Sequence, residues 1–93
     1  MDAEEAERRG LVNGVYDDGE LRERVLEVAR VLASKSPLAL AYAKEAVNLA
    51  LQGSHQASLV QEASWFAMLF SSEDQKEGME AFVGKREPRF TGR

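Results

Sequence analysis

No cysteine occurs in the chain, so neither a disulfide nor a thiolate metal site can contribute to it. Histidine is present once, as His55, with no cysteine or second histidine nearby. That leaves no metal site and no serine with a supported histidine–acid partnership. No apolar run approaches the ~20 residues that a membrane span requires. The opening residues, from Met1 through Asp2, Glu4 and Glu5 to Arg8 and Arg9, lack the basic-then-apolar order of a secretory signal. Positive charge is scarce: 12 lysines and arginines face 16 acidic residues, a net charge of −4. General nucleic-acid binding needs a phosphate-neutralising basic surface, and this balance argues against it. There is no glycine-rich phosphate loop, internal repeat or low-complexity tract. The remaining class is a cytoplasmic module without nucleic-acid or membrane partners.

What is present is ordinary for a soluble protein: 44% hydrophobic and 30% charged residues. The 93 residues read as one helical domain, 1–93. A chain of this size buries only about 60–65% of its unfolded surface, so its stability is marginal.

The fold class expected is all-α, with about five helices and one short extended segment near the N-terminus. Asp2, with Glu5 three residues later, predicts a capping-box start, and Gly10 predicts the left-handed end of that first helix. Leu11 to Tyr16 has β-branched and aromatic character and reads as a short strand, followed by a turn at Asp17-Asp18-Gly19. From Glu20 to about Ser34, Leu21, Val25, Val28, Ala29 and Leu32 recur on one helical face. Ser36-Pro37 opens a third helix, with serine as cap and proline in the first turn. Its body is rich in alanine, which lets neighbouring axes approach, and it reads as central. Gly53 ends it. A fourth helix, about His55 to Phe70, carries Leu59, Ala63, Phe66 and Phe70 on one face. Val60, Trp65, Met68 and Leu69 make much of the remaining circumference apolar, which predicts burial on more than one side and Phe66 in the core. Ser72 and Gln75 open a fifth helix that ends near Gly84.

A lone strand needs a partner for its amides, and no second strand of comparable quality exists in the chain. Together with the apolar circumference of the fourth helix, this predicts a protein built to lie against other material.

Candidate site residues concentrate at the end. Lys85 and Arg86 follow a helix C-terminus, where the dipole favours cations whatever their role. Phe82 shares the apolar side of the fifth helix with Met79 and Val83, so a core role competes with a ligand role. Glu73 with Asp74, and Glu77 with Glu80, resemble paired carboxylates. Near a helix start they read as dipole partners rather than acid–base groups, as do Glu4 and Glu5. Trp65 reads as packing, and His55 as a solvated first-turn residue. No catalytic residue is assigned.

Several motifs in order resemble the C-terminal region of the enoyl-CoA hydratase/isomerase (crotonase) superfamily. They are Gly10-Leu11-Val12-Asn13, then Ser36-Pro37-Leu38-Ala39 with Lys44, then Glu62-Ala63 with Phe66 and Phe70. Ser72-Glu73-Asp74, Glu77-Gly78-Met79 and Ala81-Phe82-Val83-Gly84-Lys85-Arg86 with Pro88 and Phe90 complete the series. The resemblance covers the whole chain. Two departures are small: Gly84 replaces a longer polar residue, and Gly14 interrupts the strand.

The resemblance implies a helical region that packs subunits into trimers. Its parent would act on acyl-CoA thioesters, a substrate and not a cofactor, in fatty acyl-CoA metabolism. The oxyanion hole and catalytic glutamates of such a parent match no position here, lying upstream of the one that matches Met1. An aromatic and a lysine that approach the nucleotide end of CoA match Phe82 and Lys85. The expected partners are therefore other copies of the chain or the catalytic domain it lacks, with coenzyme A thioesters bound weakly. The alternative is a standalone helical interaction module derived from the same fold.

Overall fold

A computed structural model describes all residues, Met1–Arg93, as five α-helices without a strand. They are α1 (Ala3–Arg8), α2 (Asp18–Ala33), α3 (Pro37–Gln52), α4 (His55–Leu69) and α5 (Glu73–Val83). Two compact units divide the chain, Met1–Leu32 and Ala33–Arg93. No helix is long and apolar enough to cross a membrane.

In the first unit, the Asp2 carboxylate accepts the Glu5 N–H at 2.8 Å, which caps α1. The reciprocal half of the expected capping box is missing, because the Glu5 carboxylate turns to the Arg9 guanidinium one helical turn ahead. Gly10 ends the helix at φ +73°. That left-handed turn lets Leu11 N–H reach Ala6 C=O and Gly10 N–H reach Glu7 C=O, satisfying two orphan carbonyls.

The strand expected at Leu11–Tyr16 does not form. These residues make bends at 11–13 and then continue without regular secondary structure. The reason is that regular β structure requires a second edge, and every other segment of the chain is committed to a helix or a tight connection. Helix α2 begins two residues earlier than expected, because the Asp17 carbonyl accepts both Glu20 and Leu21 N–H. Its apolar stripe of Leu21, Val25, Val28 and Leu32 lies with Tyr16 along an open groove of about 340 Å³. No residue of α2 is buried.

In the second unit, α3 and α4 pack against each other. The Ser58 hydroxyl of α4 donates to Leu49 C=O of α3 at 3.3 Å, and Trp65 stacks on Tyr42 with ring centres 6.0 Å apart. Moving seven residues forward on α4 moves seven backward on α3, so the helices run antiparallel across the Gly53-Ser54 connection. Ser36 caps α3 and Ser54 caps α4, each accepting an N–H three residues on.

The interior is thin. Ala81, 1% exposed, is the one buried hydrophobic residue in the chain. Helix α3, expected to be central, buries none of its residues. Helix α4 buries only Ser58, and Phe66, expected in the core, is 63% exposed. The Phe66 ring meets Phe70 edge-on at 5.2 Å, but no second layer covers it. A ring this open has not left water, so the 3–5 kcal/mol typical of truncating a buried phenylalanine does not apply to it in this chain.

Candidate functional site

The polar contacts of the second unit gather at α5 and the residues after it. Ser72 caps this helix by accepting Gln75 N–H at 3.1 Å. Two residues on, Asp74 is 3% exposed and its carboxylate accepts four hydrogen bonds. Oδ2 takes the Ser36 hydroxyl at 2.5 Å and Gly92 N–H at 3.0 Å. Oδ1 takes Thr91 N–H at 2.7 Å and the Thr91 hydroxyl at 3.3 Å. Asp74 N–H in turn donates to Arg93 C=O. Burial alone pushes this carboxyl up, but the bonds from Ser36, Thr91 and Gly92 together outweigh it and hold the group below its ordinary value. Asp74, through its carboxylate and its backbone N–H, thus ties the start of α5, the cap of α3 and the last three residues together. Gly92 sits at φ +81°, which presents its N–H to Asp74.

One turn further, Glu77 receives the Arg86 guanidinium through Nη1 at 2.6 Å and Nη2 at 2.9 Å, and Arg89 N–H at 2.7 Å. The Arg86 fork is the main cause holding the Glu77 carboxyl down to about 2, with the Arg89 amide second. Arg86 is raised for the same reason and also lies 4.0 Å from Glu80. These acids are structural partners, as the sequence suggests. Beyond the helix dipole, Asp74 and Glu77 have specific partners, Ser36 and residues between Arg86 and Gly92.

Helix α5 ends at Val83 with Gly84 as its C-cap, where the sequence expects the stop, and Gly84 itself is right-handed at φ −77°. Lys85 takes the left-handed position instead, at φ +49°. Lys85 N–H then donates to Phe82 C=O, and Arg86 N–H to Ala81 C=O. This is the Schellman pattern with lysine where glycine is usual. A side chain in that region costs about 1–2 kcal/mol. Lys85→Gly is expected to stabilise the chain by up to about 1 kcal/mol, after allowing roughly 0.5–1 kcal/mol for the freer unfolded backbone of glycine. Thermal unfolding checks it: a lower Tm for the glycine variant would mean that the turn is not strained.

Phe82 and Lys85 are therefore brought together, joined by the backbone bond of the last turn. Phe82 is 83% exposed, so no residue of this chain covers its ring. Lys85 forms no ion pair, whereas the neighbouring Arg86 is fully engaged. An open ring and an unpaired lysine three residues apart can between them stack a heteroaromatic base and attract an anion. His55 is exposed in the first turn of α4, and no group of histidines and acids converges as a metal site. Sequence reasoning missed the Asp74 clasp. Its donors lie 17 to 38 residues away, and no local pattern announces them.

An all-α fold with its apolar helix faces left open is the class that the structure defines. Comparison with known proteins sharpens it. Residues 1–93 match the enoyl-CoA hydratase/isomerase family over their whole length. A probable enoyl-CoA hydratase from Rhizobium meliloti is 48% identical over 93 residues, all of this chain and 36% of the relative. The 2,3-dehydroadipyl-CoA hydratase of Escherichia coli is 41% identical over 91 residues, again 36% of its length. Among solved structures, the enoyl-CoA hydratase of Bacillus anthracis superposes on the whole chain with a TM-score of 0.95 at 33% identity, using 36% of that protein. The chain belongs to the enoyl-CoA hydratase/isomerase family. It spans about 36% of the length of these relatives.

Proposed function

We propose that this chain is the C-terminal, subunit-packing and acyl-CoA-contacting segment of an enoyl-CoA hydratase/isomerase type protein, inactive when alone. The oxyanion donors and water-activating glutamates belong to polypeptide outside these residues. One observation carries this: twenty-one large apolar side chains are exposed, against a single buried alanine. Scattered surface leucines are normal, but apolar stripes along whole helices mark surfaces meant for covering. Other copies of the chain, in the trimer that the family resemblance implies, or the catalytic domain are the coverings that suit a packing segment.

The second part of the proposal places the nucleotide end of CoA on Phe82 and Lys85. Stacking on an open ring contributes about 1–3 kcal/mol. Immobilising the ligand costs at least about 4 kcal/mol, so the chain alone is expected to bind CoA weakly, with Kd near or above about 1 mM. Light scattering is expected to give a mass above that of one chain. An NMR titration with CoA should shift resonances at α5, and Phe82→Ala or Lys85→Ala should raise the CoA concentration needed to shift them. Crotonyl-CoA should not be hydrated above background. A strictly monomeric mass at high concentration would favour the standalone interaction module. Micromolar CoA binding that survives Lys85→Ala would remove the contact site. Enzyme-like hydration lost on a single substitution would overturn the proposal.

A further inference from the structure

We infer that Glu77 is the positioning residue of the terminal contact. Its carboxylate locks the segment from Arg86 to Arg89 so that Lys85, which forms no ion pair, is held out where it can meet an anion. This deepens the proposed CoA contact and rests on it.

Three observations converge. The Lys85 backbone is left-handed, a conformation that lysine leaves readily unless its neighbours fix it. Its neighbours do fix it. On one side, the carbonyls of Ala81 and Phe82 hold the N–H groups of Arg86 and Lys85. On the other, Glu77 grips both guanidinium nitrogens of Arg86 and the N–H of Arg89, which closes a loop nine to twelve residues long back onto the helix. The charge distribution completes the argument. Arg86 is neutralised by Glu77, with Glu80 at 4.0 Å, so the anions of α5 are directed to residue 86 and not to residue 85. Without Glu77, Arg86 would compete for an incoming anion and the strained turn would relax. Glu77, Arg86 and Arg89 also line, with Glu87 and Pro88, an open cleft of about 580 Å³. The lock therefore borders space in which a ligand can lie.

Glu77 does not touch the ligand in this scheme, so its effect must pass through Lys85. A double-mutant cycle tests that. The isotope-labelled chain is titrated with CoA by NMR in four forms: parent, Glu77→Gln, Lys85→Ala and the double variant. Glu77→Gln is expected to weaken CoA by roughly threefold to tenfold, and to add nothing once Lys85 is alanine. Arg86→Lys keeps the charge but loses the fork, and is expected to weaken CoA like Glu77→Gln. It carries the test if the glutamine variant fails to fold. If Lys85→Ala weakens CoA while Glu77→Gln and Arg86→Lys both stay within about twofold of the parent, the positioning role is overturned and the contact site stands. If the effects of Glu77→Gln and Lys85→Ala simply multiply, Glu77 acts by another route and the inference again fails. If Lys85→Ala itself leaves CoA binding unchanged, the contact site falls, and the positioning role falls with it.

Discussion

Asp74→Ala is expected to lower the melting temperature of this chain by roughly 10 °C or more, or to abolish a cooperative transition. The size follows from what is stranded. Removing the carboxylate leaves the Ser36 hydroxyl, which is buried, and the part-buried Thr91 N–H and Gly92 N–H without their acceptor. A buried donor without a partner costs more than the bond it once made contributed. Every buried polar side-chain atom in the parent is satisfied, so the loss is not masked by an existing defect. Domains of this size are marginal, and with only Ala81 buried among the apolar residues there is little hydrophobic reserve to absorb it. Asp74→Asn should recover little. Its single carbonyl cannot replace two oxygens, and its NH₂ would face donors. Glu73→Ala is the control: the adjacent acid is exposed, and its loss should cost only about 2–4 °C. Equal melting temperatures for Asp74→Ala and the parent would show that the clasp holds nothing.

Acidification is expected to produce a steep loss of stability between about pH 4.5 and pH 2. Glu77 has an ordinary value of 4.5 and sits at about 2 in the fold, chiefly because of Arg86. In that window the unfolded chain takes up a proton that the folded chain refuses. Its contribution is therefore complete above about pH 4.5 and disappears as pH falls toward 2. Asp74, lowered from 3.8, acts in the same direction, although burial opposes its hydrogen bonds. Above these values neither group gives stability a slope. The charges that face Glu77 are Arg86 and Arg89, neither of which titrates in this range. Melting temperatures measured from pH 6 to pH 2 should fall steeply for the parent and more gently for Glu77→Gln. Parallel curves would mean that the Arg86 pair contributes nothing to folding.

What could be seen in the sequence was local. Ser36 with Pro37, Ser72 with Gln75, and Asp2 with Glu5 announce helix starts, because a cap and its amide lie within three residues of each other. The stripe from Leu21 to Leu32 announces α2 for the same reason, since the period of a helix is written in adjacent turns. Expectations failed where an outcome depended on distant chain. Leu11–Tyr16 has strand-like residues, yet a strand exists only if another edge comes to it. Phe66 lies on an apolar face, yet a face becomes core only when something covers it. Gly84 caps α5 where the sequence places the stop, but nothing local announces that the left-handed residue is Lys85, whose flank at Arg86 is anchored nine residues back to Glu77.

The candidate contact shows the same division. That an aromatic and a lysine stand three residues apart at the end of a helix is a property of the sequence. That Phe82 faces water and that Arg86 is paired while Lys85 is not are properties of the folded turn. Sequence by itself determined five helices, their caps and their apolar stripes, because backbone bonds within a helix reach only four residues. Tertiary structure alone decided which carboxylates became anchors, which cation stayed free and which apolar faces stayed bare. Those outcomes depend on charges and surfaces meeting across tens of residues, where no periodic pattern reaches.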